Sequence, residues 1–141
     1  MNTLRIGVVG YSGQKFDEDE ARRLLESALD DAVSEHPGAQ RIVVVSGLTD
    51  LGIPALAYRI ATARGWQTAG VACALAVEYD CFPVDDRVIV GNNWGDESQT
   101  FLDSCDVIVR VGGGKQSFEE VAEFRRRGGR VYEHELAAYA R

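Results

Sequence analysis

The stretch Asp106-Val107-Ile108-Val109-Arg110-Val111-Gly112-Gly113-Gly114-Lys115-Gln116-Ser117 decides the fold. Asp106 to Val111 is short and dominated by valine and isoleucine, so it reads as a buried strand. Three glycines break it, and Ser117 to Arg127 takes up helical spacing until Gly128-Gly129 stops it. The unit is strand, glycine turn, helix, and it repeats along the chain. Leu4 to Val9 runs into Gly10-Tyr11-Ser12-Gly13-Gln14-Lys15, then a helix from about Asp17 to Glu35. That helix carries Ala21, Leu24, Leu25, Ala28, Leu29, Ala32 and Val33 as one apolar stripe. Arg41 to Val45 runs into Ser46-Gly47-Leu48-Thr49-Asp50-Leu51-Gly52, then a helix with Pro54 at its first position. Thr68 to Ala76, Arg87 to Val90 and Arg130 to Glu133 are the third, fourth and sixth predicted strands. Asp96-x-x-Gln99 reads as the capping box of a helix ending near Ser104, and a short helical tail is expected at the end of the chain.

Continuous apolar strands alternating with helices imply a parallel sheet covered on both faces. Right-handed crossovers then give an α/β, Rossmann-like three-layer domain with a mostly parallel, doubly wound sheet. The 141 residues match the modal size of one domain, so residues 1–141 are read as a single unit. Hydrophobic residues at 45% and charged residues at 26% exclude disordered and fibrous classes. No apolar run approaches the roughly 18 residues of a membrane span, so no membrane contact is expected. The net charge of −7 disfavours a grip on a long nucleic acid, yet leaves room for a small anion in a nest of amides. Cys73, Cys81 and Cys105 form an odd set without metal spacing, and Met1 to Arg5 runs straight into a strand pattern. Both point to a cytoplasmic protein with free thiols.

In such sheets the ligand lies at the carboxyl ends of the strands, where the strand order reverses. The glycines gather there. Gly10, Tyr11, Ser12, Gly13 and Lys15 follow the first strand, and Ser46, Gly47 and Asp50 follow the second. Asn92 and Asn93 follow the fourth, with Trp94 beside them as a ring able to stack on a base. Gly112, Gly113, Gly114, Lys115, Gln116 and Ser117 follow the fifth. Amides at helix N-termini favour phosphate or carboxylate, and both lysines of the chain fall in these turns. The dinucleotide fingerprint is missing, because Gly7-x-x-Gly10-x-x-Gly13 has another spacing, and there is no P-loop. No cofactor is therefore expected. His36 and His134 have no cysteine or histidine at ligand spacing, so no metal is expected either.

Ser104 to Glu120 resembles the signature of the SLOG superfamily, in particular its Lonely Guy-type branch, where the pattern is S-D-(apolar strand)-P-G-G-x-G-T-x-x-E. Gly10 to Gly13 and Ser46 to Pro54 stand at that branch's other glycine turns. The resemblance implies a modified Rossmann fold, usually a homodimer, and a nucleotide ligand. Its best-known members release the free base and ribose 5-phosphate from nucleoside 5′-monophosphates. It matches Gly113 and Gly114 to the phosphate-loop glycines, Ser117 to the threonine and Glu120 to the glutamate credited with catalysis. Gly112 stands in place of the proline and Gln116 in place of the third glycine. Glu97 and Ser98 occupy the positions of the branch's Arg-Lys pair, leaving Arg110 as the substitute cation for a catalytic reading.

Three readings follow. The leading one is binding of a small phosphorylated ligand, a nucleotide or nucleotide derivative, with its phosphate against Gly112 to Ser117. Its base or ribose would then lie near Gly10 to Lys15 and Ser46 to Asp50. The alternative is a nucleoside 5′-monophosphate phosphoribohydrolase using Glu120 as the catalytic carboxylate, with Asp50 or Glu97 as a second acid. The third is a non-catalytic assembly module. Ser117-x-x-Glu120 also fits a helix capping box, which needs no ligand.

Overall fold

The computed structural model describes residues 2–139. Six strands, β1 (Thr3–Gly10), β2 (Arg41–Ser46), β3 (Gln67–Ala72), β4 (Asp86–Ile89), β5 (Val107–Val111) and β6 (Arg130–His134), form one sheet. Four helices, α1 (Glu18–Ser34), α2 (Gly52–Ala63), α3 (Ser98–Asp103) and α4 (Lys115–Arg126), cover it. Every strand pair is parallel, and the spatial order is β4-β3-β2-β1-β5-β6. The Rossmann-like three-layer fold expected from the strand and helix pattern is the fold the chain adopts.

Side chains on successive strand residues leave opposite faces, so each valine run feeds two cores. Ile6, Val8, Val44, Val107 and Val109 pack with Leu25, Leu29, Ile53 and Leu56 under α1 and α2. Val9, Val43, Val45, Val71 and Ile108 pack with Phe101, Leu102, Val121 and Phe124 under α3 and α4. Ile6 in β1 lies opposite Val44 of β2 and Val107 of β5. That register places the whole apolar set inside. Helix α1 starts where the sequence marks it: Asp17 accepts a hydrogen bond from the Glu20 N–H at 3.0 Å, and acids fill the first turn.

Several local expectations are corrected. The third strand stops at Ala72 and not Ala76, because the run beyond it coils into a 3-10 turn, Ala74–Glu78. Helix α2 begins at Gly52, two residues before Pro54, with Gly52 at φ +60. Asp96 does not cap α3; its Oδ2 accepts the N–H groups of Asn92 and Asn93 at 3.1 and 3.0 Å and closes the preceding loop. Ser117 is not the cap of α4 either, since the helix starts at Lys115 with Gly114 before it. No helical tail forms in residues 135–139; Ala138 instead bridges Phe16, and Ala140 and Arg141 lie outside the described residues. No helix among the described residues is long and apolar enough to cross a membrane.

Candidate functional site

The order of the strands reverses at β1. Strands β2 to β4 extend to one side and β5 and β6 to the other, so the loops after β1 and β5 diverge above the sheet. Divergence there leaves a crevice at the carboxyl ends of the strands. Its volume is about 580 Å³. The β1–α1 loop (residues 10–14), the β2–α2 loop (46–49), the start of α4 and the α3 region all contribute to its wall.

Of the residues singled out in the sequence, Gly10, Tyr11, Ser12, Gly13, Ser46, Gly47, Gly114, Lys115, Gln116, Ser117 and Glu120 line this crevice. Lys15, Asp50, Asn92, Asn93, Gly112 and Gly113 do not. Asp50 pairs with Arg59 at 3.2 Å. The main-chain oxygen of Lys15 accepts from the Tyr139 N–H at 2.7 Å. Asn92 and Asn93 turn their N–H groups to Asp96.

Gly112 and Gly113 act one layer down, by shaping the loop. Their φ angles are +60 and +109, a region that side chains rarely adopt. A Cβ on Gly112 would also meet the Tyr11 ring at 2.5 Å, and one on Gly113 would meet Ser117 Oγ at 2.6 Å. Arg110 holds the loop from below. It is buried, donates from Nη1 to the Gly112 carbonyl at 2.7 Å, and pairs with Glu133 at 2.6 Å and with Glu135. Its guanidinium lies 4.4 Å from the centre of the Phe118 ring. Arg110 is thus fully engaged beneath α4 and does not line the crevice, which removes it as the substitute cation.

The loop delivers α4 with its first amides bare. The first main-chain bond of that helix runs from the Phe118 N–H to the Gly114 carbonyl at 3.2 Å. The N–H groups of Lys115, Gln116 and Ser117 precede it, and no side chain caps them. The Lys115 side chain is 90% exposed and pairs with Glu119 at 3.7 Å.

The α3 wall is acidic. Glu120 is 9% exposed and Glu97 7% exposed, and both line the crevice. Glu120 Oε2 accepts from Ser98 Oγ at 3.0 Å, so its carboxyl reaches α3 and does not fold back to cap α4. The capping-box reading of Ser117 and Glu120 therefore fails. Burial pushes the Glu120 carboxyl up to about 7; hydrogen bonds from Ser98 and Gln116 oppose the rise, and the charges of Glu97 and Glu119 add to it. Trp94 stands at the rim, with Tyr79 against its ring at 5.9 Å.

Gln14 and Leu48, inside the two turns expected to meet the base or ribose, also line the crevice, and so does Ala138, which lies outside every expected site segment. Gln14 lay within the first glycine turn. Ala138 carries no local signal, because its place follows from the bridge to Phe16 and the bond between Tyr139 and Lys15.

No family model matches the chain, and no curated protein matches it. Solved structures do. The molybdenum cofactor carrier protein of Chlamydomonas reinhardtii aligns with a TM-score of 0.71 at 23% identity, over 94% of this chain and 76% of its own. The molybdenum cofactor binding protein of Rippkaea orientalis aligns at 0.72 and 22%, over 94% and 77%. The protein TM1055, known as an X-ray structure, aligns at 0.70 and 22%, over 91% and 72%. The chain has their fold. At this identity the likeness carries the Rossmann-like fold and nothing finer, and that fold is the one the SLOG-type glycine signature implied.

Proposed function

We propose that the crevice binds a small phosphorylated ligand, a nucleotide or nucleotide derivative, with its phosphate against the first turn of α4. The observation that carries this is the set of uncapped N–H groups of Lys115, Gln116 and Ser117 opening on a crevice of about 580 Å³. Unpaired amides and the positive end of the helix dipole favour an anion at that point. Lys115 adds a mobile charge at the mouth. The two molybdenum cofactor proteins among the structural neighbours favour molybdenum cofactor as a second candidate ligand, which would here be cargo. Release of a free base is the weaker reading. Among the described residues lining the crevice no arginine stands beside Glu120 to handle phosphate or ribose.

Thermal melting with nucleoside mono-, di- and triphosphates, ribose 5-phosphate and molybdenum cofactor tests the reading. A ligand at 100 times its Kd adds roughly 2.7 kcal/mol, a rise of roughly 5–10 °C for a chain of this size. The control is Gly114→Asp. Gly114 has φ −103 and open space at its Cβ, so an acid fits there without strain and faces the bare amides. Loss of the ligand-induced rise with an unchanged melting point of the free protein supports the site. No rise with any ligand ends the proposal.

A further inference from the structure

Glu97 is a buried acid whose second oxygen is left over. It occupies the position before α3, yet its side chain makes no cap to that helix. Oε2 turns back to accept the Gly95 N–H at 3.0 Å. Among the described residues no side-chain oxygen or nitrogen is sealed from solvent without a partner, and Gly95 is the one hydrogen-bond donor to the Glu97 carboxylate. Oε1 is therefore open to solvent, and Glu97 lines the crevice. No guanidinium answers it: Arg110 is engaged beneath α4, and the crevice's lysine, Lys115, extends into solvent against Glu119. An acid this deeply set calls for a donor partner, and the protein supplies half of one. Three residues earlier, the Trp94 ring is 53% exposed at the rim of the same crevice, backed by Tyr79. A flat face beside an open carboxylate suits a flat ring that carries N–H donors on its edge.

We propose that Trp94 and Glu97 form the subsite for the ligand's heterocycle, and that this heterocycle presents a ring N–H next to an exocyclic amine. This edge is shared by guanine and by pterins. Oε1 accepts one of its two parallel N–H groups, and the second lone pair of Oε2, beside the bond from Gly95, accepts the other. Adenine and hypoxanthine lack the pair. The inference rests on the phosphate site proposed above, and it moves the base from the β1 and β2 loops to the α3 wall.

Titration calorimetry decides it with guanosine 5′-monophosphate, inosine 5′-monophosphate, 6-hydroxymethylpterin phosphate and ribose 5-phosphate. The guanine or the pterin compound binds about tenfold or more tighter than the inosine compound, which lacks only the exocyclic amine. Whichever of the two binds tighter names the source. Glu97→Gln removes that preference and leaves ribose 5-phosphate binding unchanged. Trp94→Ala weakens both ring compounds and leaves ribose 5-phosphate unchanged. Equal affinity for the guanine, pterin and inosine compounds overturns the inference while binding of ribose 5-phosphate keeps the phosphate site. Failure of all four to bind overturns both. Because the comparison among ligands uses the unaltered protein, it stands even if a variant misfolds.

Discussion

At the scale of single residues, Glu120 has the most direct consequence. Its carboxyl titrates near 4.5 in an open chain and is pushed up to about 7 by burial in the folded protein. Between those values the folded protein keeps a proton that the unfolded chain has released. Stability therefore falls as pH rises from about 4.5 to about 7, by about 3 kcal/mol in all, and is level above that. Glu120→Gln flattens this stretch of the profile, which urea denaturation at a series of pH values would show. The glycines separate in the same way. Gly112→Ala forces a side chain into φ +60 and against the Tyr11 ring, and costs about 1–3 kcal/mol. Gly114→Ala stays within about 0.5 kcal/mol, because its backbone is extended and its Cβ meets nothing. Equal melting points for the two variants would refute the distinction. The sequence showed three glycines in a row and gave no means of ranking them. Their ranking depends on Tyr11 and Ser117, which approach only in the folded chain.

At the scale of elements, the β5–α4 junction is held by a buried cation. Arg110→Ala would leave Glu133 with Arg125 as its remaining cation and free the Gly112 carbonyl, and costs about 1–3 kcal/mol. Glu133→Gln costs less than Arg110→Ala, because it leaves the bond from Arg110 to the Gly112 carbonyl in place, as chemical denaturation of the two variants would measure. Helix starts were the least legible feature here. Asp96-x-x-Gln99 and Ser117-x-x-Glu120 both carry a capping pattern, and neither forms a box. In the first case two loop amides compete for the Asp96 carboxylate and win it. In the second the positive-φ glycines turn the chain early enough for α4 to begin at Lys115. In the sequence Glu97 stands out only because it occupies a position of the Arg-Lys pair in the resembled signature. Its place in the crevice follows from the fold of residues 90–97, which no periodic pattern encodes.

At the scale of the whole molecule, the strand pattern was legible because it is made twice over. Valine and isoleucine runs name β1, β2, β4 and β5, and glycines mark their carboxyl ends. The sheet order was legible only as a class, since it depends on which way each crossover turns. The order leaves β4 at an edge with all four residues exposed, while β1, β2 and β5 are central. Native-state hydrogen exchange should then open β4 first. The amides of Ile6, Val44 and Val109 exchange only on global unfolding. Uniform exchange across the sheet would contradict this ordering. The all-parallel arrangement has a practical corollary as well. Every loop around the crevice leaves from one rim, so the other rim is a free handle. Gly38 sits there, just before β2, with an added Cβ no nearer than 3.8 Å to its closest neighbour, Asn2. A cysteine at that position, with the partly exposed Cys81 and Cys105 replaced by serine, would let the molecule be tethered to a surface or dye with its mouth facing outward, and ligand capture watched on single immobilised copies.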